Sequence, residues 1–217
     1  MQKKAGSYFS KLYVFVTALL GWFALIAQFI LLIENRTTSL SEAIIRFFSF
    51  FTILSNILVA LGFSFLLLNG NSKWSRFFTS ASSQTAMTVY IIVVGAVYNI
   101  VLRMIWHPVG LQKLVDELLH SVIPVLAVVH WMLFIPKSSL QWKNSFTWLL
   151  YPMVYTLYIT IRGALSGFYP YPFINVTEIG YPRALLNGTF LAIVFLGLSL
   201  FLIAVAKFIS RKQKSVQ

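Results

Sequence analysis

The chain has no cysteine and only five acidic residues in 217. The first absence excludes disulfides, thiolate metal sites and a cysteine nucleophile. The second, set against 17 lysines and arginines, leaves a net charge of +12. Charge of either sign is scarce, at 10% of residues, where soluble chains carry about a quarter. With 59% hydrophobic residues and a mean hydropathy of +0.81, the chain is too apolar for a water-soluble domain. HExxH is absent and the three histidines are scattered at 107, 120 and 130, so no metal is expected. Nothing in the sequence asks for a cofactor.

What the sequence has in abundance is apolar runs of about 20 residues, the length that spans a hydrocarbon core. Six occur: Leu12–Ile33, Ile44–Leu68, Ala86–Ile105, Leu114–Phe134, Phe146–Ala164 and Leu185–Ala206. They predict an all-α fold, a polytopic bundle of six transmembrane helices forming one domain over residues 1–217. The first run is too long for a signal-peptide core and no small-residue cleavage site follows it, so it is expected to remain as an anchor. With six passes both termini share a side. That side carries eleven lysines and arginines, Lys3, Lys4 and Lys214 among them, and no acid. The opposite side carries the other six and all five acids: Glu34, Glu42, Asp116, Glu117 and Glu178. The positive-inside rule then places both termini in the cytoplasm. Compact loops without cysteine suit a bacterial inner (plasma) membrane. The basic residues are spread over tails and loops, which suits anionic lipid headgroups and not nucleic acid.

Polar groups at membrane depth are expensive, and each is a site hypothesis by default. In the second run, RFFSFFTILSN, Arg46, Ser49, Thr52 and Asn56 form one helical stripe. The third ends with Asn99 and Arg103 one turn apart. The fourth enters at DELLHSVIP, with Asp116 and His120 at i, i+4 and Glu117 and Ser121 likewise. The fifth carries Tyr151, Tyr155, Tyr158 and Arg162 on one face. Four helices thus aim polar groups at similar depth toward the non-cytoplasmic side. Each group also has a plain structural role. A serine or threonine bonds its own i−4 carbonyl, an arginine snorkels and tyrosines form belts. His130 reads as a hydrogen-bonded core residue and His107 as exposed.

An acid beside a histidine orients it, and a hydroxyl within its reach becomes a nucleophile. Arg103 or Arg162 could hold a carboxylate. The same parts also build a proton relay or an ion path, and the spacing leaves that choice open.

FFTILSN, ELLHSVIP and GFYPYPFINVTEIGYPRALLNG resemble stretches of the androgen-induced membrane protein family, which includes six-segment integral membrane proteins of bacteria. Animal members of that family are threonine hydrolases that cleave fatty acid esters of hydroxy fatty acids within the membrane. Phe51-Thr52-Ile53 matches the family's threonine motif, and His120 falls on the second histidine of its Asn-His-x-x-His motif. Tyr171, Pro172 and Phe173 fall on its Tyr-Pro-Phe. Asp116 and Glu117 stand where the family has Asn and His.

The resemblance implies an intramembrane lipid esterase acting on fatty-acyl esters, a hydrolase of carboxylic ester bonds. Thr52 would be nucleophile, His120 base, and Asp116 or Glu117 the partner of His120. Asn56, Asn99, Arg103, Tyr155, Tyr158, Arg162, Tyr171 and Phe173 would line the substrate site, under a loop Gly167–Pro182 stiffened by its prolines. The alternatives are a transporter, channel or lipid-handling protein using the His/acid/Arg cluster as a polar path, and a scaffold in which that cluster only joins helices.

Overall fold

The computed structural model describes the backbone of residues 2–68 and 70–214, and the side chains of 8–68 and 70–212. Lys3, Lys4 and Lys214 of the charge count lie outside the described side chains. The fold is all-helical: 84% of the chain is helix, with no strand among the described residues. In order come α1 (Gln2–Glu34), α2 (Leu40–Phe47), α3 (Phe51–Leu68), α4 (Lys73–Thr79) and α5 (Ala81–Ile100). They are followed by α6 (Gly110–Glu117), a π turn (Leu118–Val122), α7 (Ile123–Phe134), α8 (Asn144–Ser166) and α9 (Val176–Lys214).

Five stretches are long and apolar enough to cross a membrane: Tyr8–Glu34, Phe51–Leu68, Ala81–Met104, Gly110–Phe134 and Val176–Lys212. That is the signature of a multi-pass membrane protein. The expected fifth pass is the helix α8, whose 23 residues give it spanning length. Its tyrosines, threonines, Pro152 and Arg162 leave it less apolar than the other five.

Serine caps start several helices. Ser39, Ser72 and Ser80 accept from the main-chain N–H groups of Glu42, Ser75 and Ser83, the role short hydroxyl side chains play at helix starts. Glu42 also pairs with Arg46 at 2.7 Å on α2. The second expected segment is therefore not one helix. It breaks between Phe47 and Phe51, where the Ser49 hydroxyl takes the Ile45 carbonyl at 2.7 Å and Ser49 N–H bonds to Arg46 O. The stripe expected from Arg46 to Asn56 is divided accordingly. Arg46 belongs to α2, while Thr52 and Asn56 occupy the first two turns of α3. In α9, Gly180 at φ 75° interrupts the helix, so the expected loop Gly167–Pro182 contains a helical start at Val176 and a 3₁₀ turn at Pro172–Ile174.

The chain forms two compact units, Met1–Pro136 and Lys137–Gln217. In the first, α1 packs on α3, α3 on α5, α5 on α7, and α7 back on α1. The π turn touches α1, α3 and α5. Hydrogen bonds tie these helices to one another: Tyr13 Oη to Leu126 O at 2.7 Å, Trp22 Nε1 to Ser64 Oγ at 3.0 Å and Trp131 Nε1 to Thr85 Oγ1 at 2.9 Å. His130 is a buried core residue caged by the rings of Tyr13, Phe63 and Phe134. In the second unit, α8 packs on α9, and α9 also packs on the 3₁₀ turn.

Close approach of α5 to the π turn depends on Gly95. A Cβ there would lie 3.0 Å from His120 O and 3.3 Å from Pro124 Cβ. Gly95→Leu should lower stability by about 1–3 kcal/mol or more through overpacking. Gly197→Leu, at a position with open space around it, should change little. Thermal midpoints of the two purified variants check this pair.

Candidate functional site

Pro124 shapes this region through what it lacks. Its missing N–H leaves His120 O without an α-helical donor and Leu119 O without a π-helical one. Ile123 N–H, the α-helical donor for Leu119 O, goes to Leu118 O instead in the π turn. Two carbonyls are thus stripped of helix partners inside a packed bundle, where such groups must be satisfied. Side-chain amides from two helices fill the gap. Asn56 Nδ2 on α3 donates to Leu119 O at 3.2 Å and to Thr52 O at 2.9 Å. Asn99 Nδ2 on α5 donates to His120 O at 3.2 Å and to Gly95 O at 2.8 Å. π turns concentrate at functional sites for this reason: they re-aim side chains.

The side chain aimed here is His120, buried at 8% exposure. Its Nδ1 lies 2.9 Å from the main-chain oxygen of Asp116. A carbonyl only accepts, so Nδ1 carries the proton and Nε2 keeps its lone pair. The imidazole stacks on Tyr98, with centroids 3.9 Å apart and planes 13° from parallel. Among the described residues Nε2 has no hydrogen-bond partner.

The acids do other work than expected. The Asp116 carboxylate accepts from Trp106 Nε1 at 2.6 Å and from Gln112 Nε2 at 3.4 Å. Gln112 in turn donates to Gln28 Oε1 of α1 at 2.8 Å. Asp116 Oδ1 stands 3.9 Å from His120 Nδ1, too far for a hydrogen bond. It is thus the main chain of Asp116, and not its carboxylate, that directs the ring. Glu117 pairs with Arg103 at 2.7 Å and accepts from Ser121 Oγ at 2.9 Å. Arg103 also reaches Ser121 Oγ and lies 5.3 Å from the Tyr98 ring centroid.

Thr52 is buried on the first turn of α3. Its carbonyl shares the Asn56 amide with Leu119, the residue before His120. The structure therefore gathers Asn56, Asn99, Arg103, Asp116, Glu117 and His120 into one hydrogen-bonded neighbourhood, with Thr52 joined to it through Asn56. Asn56 and Asn99, expected at the substrate, spend their amide N–H groups on main-chain oxygens.

Tyr155, Tyr158, Arg162, Tyr171 and Phe173 belong to the second unit. There Arg162 is buried, donates to Ser166 Oγ at 3.2 Å and Phe168 O at 3.4 Å, and lies over the Phe168 ring. These contacts lie around the left-handed Gly167 turn that ends α8. Tyr171 stacks on Phe173 at 5.2 Å, and Asn187 Nδ2 fixes the Phe173 carbonyl at 2.8 Å. Tyr155 is buried and Tyr158 exposed. In the loop before the 3₁₀ turn, Tyr169 packs on Gly163, and burial raises its phenol above the usual tyrosine range.

Tyr98 and Trp106 are the members that pattern reading missed. Tyr98 lies one residue before Asn99, and nothing in VYNIVLR separates it from an ordinary interfacial tyrosine. Trp106 had one usable signal, a tryptophan N–H within ten residues of an acid in a chain with few acids.

Compared with known proteins, the chain matches no family model, and no curated protein or solved structure shows a significant match.

The carbonyl-capping geometry makes a prediction. Asn99→Ala should destabilise by about 1–3 kcal/mol, because it leaves His120 O buried and unpaired. With Pro124→Ala already present, the restored N–H can serve His120 O, and the same substitution should cost less than half as much. A double-mutant cycle on unfolding in mixed detergent reads the difference.

Proposed function

We propose that the chain is an intramembrane esterase of fatty-acyl lipids, with Thr52 as nucleophile and His120 as general base. The observation that carries this is the state of His120. It is a buried imidazole with its tautomer fixed through Nδ1, its ring held by a stacked tyrosine, and an unengaged lone pair at Nε2. That is the arrangement a general base needs before substrate arrives. The likeness of FFTILSN and ELLHSVIP to the androgen-induced membrane protein family supports the same pair and an ester of a hydroxy fatty acid as substrate class.

Thr52 Oγ bonds to the ester carbonyl carbon while its proton passes to His120 Nε2. The tetrahedral intermediate collapses, its bond to the alkoxy oxygen breaks, and His120 returns the proton to that leaving group. Water then attacks the acyl-threonine with His120 again taking and returning a proton, which releases the fatty acid. Glu117 neutralises Arg103, so the pair adds no net charge beside His120.

At 1.5 Å per residue α8 is about 35 Å long, so it serves as a sixth pass. The excess of lysine and arginine beside the termini puts both termini in the cytoplasm and the site toward the opposite face, in a bacterial inner membrane.

Detergent-purified protein should cleave a branched fatty-acyl ester of a hydroxy fatty acid. Thr52→Ala and His120→Ala should each lower kcat by about 10³-fold or more without loss of helicity. Undiminished cleavage by Thr52→Ala would remove it from the role of nucleophile.

A further inference from the structure

Two polar atoms on stacked rings in the first unit lack protein partners. Tyr98 is 4% exposed and His120 8%. Among the described residues, neither the Tyr98 hydroxyl nor His120 Nε2 takes part in a hydrogen bond. Neither atom is sealed in the core, so each is open to a hydrogen-bonding group from outside the protein. We propose that the Tyr98 hydroxyl is a catalytic residue, the hydrogen-bond donor to the carbonyl oxygen of a fatty-acyl ester or fatty acid bound against His120. Its hydrolytic role rests on the esterase reading above; its contact with a lipid carbonyl does not.

The stack sets the location. With centroids 3.9 Å apart and planes 13° from parallel, any group bound at Nε2 lies within a few ångströms of the phenol ring. The two atoms also specify their ligand chemically. Nε2 offers only a lone pair and asks for a donor, while the phenol O–H asks for an acceptor. A carboxylic ester under attack by a hydroxyl supplies both: the attacking O–H to Nε2 and the carbonyl oxygen to Tyr98. A protonated fatty acid supplies both as well. A hydrocarbon supplies neither, and a quaternary ammonium headgroup has no acceptor to offer.

The direction of electron flow favours the same assignment. The Arg103 guanidinium lies 5.3 Å from the Tyr98 ring centroid, held in place by Glu117 and Ser121. When Thr52 attacks, the carbonyl π electrons move onto oxygen. A fixed donor at that oxygen acts where negative charge develops, and the Arg103–Glu117 pair sets no net negative charge against it. Asn56 and Asn99 are poorly placed to be that donor, because their amide hydrogens already serve main-chain oxygens.

The test is Tyr98→Phe, which keeps the ring and removes only the hydroxyl. Hydrolysis of a fatty-acyl ester of a hydroxy fatty acid and calorimetric binding of oleic acid are measured on the full chain, wild type and variant. A thermal midpoint confirms folding. The expected result is a kcat lower by about 100-fold, a KM changed little, and oleic acid bound about tenfold more weakly, at an unchanged midpoint. A folded Tyr98→Phe with wild-type kcat and wild-type oleic acid affinity would overturn the proposal and leave Tyr98 as a packing ring. If the wild type cleaves no ester but binds oleic acid in a Tyr98-dependent way, the contact stands and only the hydrolytic reading falls. If the wild type neither cleaves the ester nor binds oleic acid, both are overturned.

Discussion

A proline inside an apolar stretch of spanning length has no N–H to give, and the first unit is organised around that deficit. In water a stripped carbonyl would be solvated at little cost. In an apolar bundle it must be met by protein. Pro124 and the π turn before it release two adjacent carbonyls, and the chain answers with one asparagine from each of two neighbouring helices. Each asparagine also bonds within its own helix. The pair therefore welds α3 and α5 to the segment that carries His120.

The remaining features follow from that weld. An asparagine of α5 reaches His120 O only if α5 comes close, and closeness requires Gly95, where a Cβ would press on that same oxygen. The π turn widens the helix, His120 turns inward, and its Nδ1 meets the Asp116 carbonyl. Tyr98 closes over the ring from α5. Backbone satisfaction, helix packing and the tautomer of one imidazole are thus consequences of a single missing donor.

The helical class and most segment positions were legible in the sequence because apolar runs of spanning length leave few alternatives. His120, Asn99, Arg103 and Glu117 were also legible as a cluster, since ionisable and amide groups stand out against a chain that is 59% hydrophobic. Their pairings were not. Spacing of i, i+4 suggested that the Asp116 carboxylate meets His120, but the π turn changes the angular register over Leu118–Val122 and delivers the carbonyl instead. The break at Phe47–Phe51 was hidden as well, because RFFSFF has neither proline nor glycine. There a serine hydroxyl competes for the main chain, and no periodicity reports it. Tyr98 escaped because stacking leaves no trace in a pattern of polar and apolar residues.

Two of the five acids sit beside one histidine, and their contacts divide the work between them. Orientation and charge compensation are separate tasks, and a carboxylate bonded directly to Nδ1 would perform both at once. Here the Asp116 carbonyl orients the ring without bringing charge to it. The Asp116 carboxylate waits 3.9 Å away, held by the neutral donors Trp106 and Gln112. On the hydrolytic reading, the imidazolium that forms during attack gains a nearby anion only when it becomes charged, so the attraction grows toward the transition state and is small before it. Glu117 has the complementary duty. It holds Arg103 beside Tyr98 and cancels its charge, which lets a guanidinium stand at the site without drawing anionic headgroups into it. On that reading one acid serves the charge that appears during reaction, and the other serves the charge that is always there.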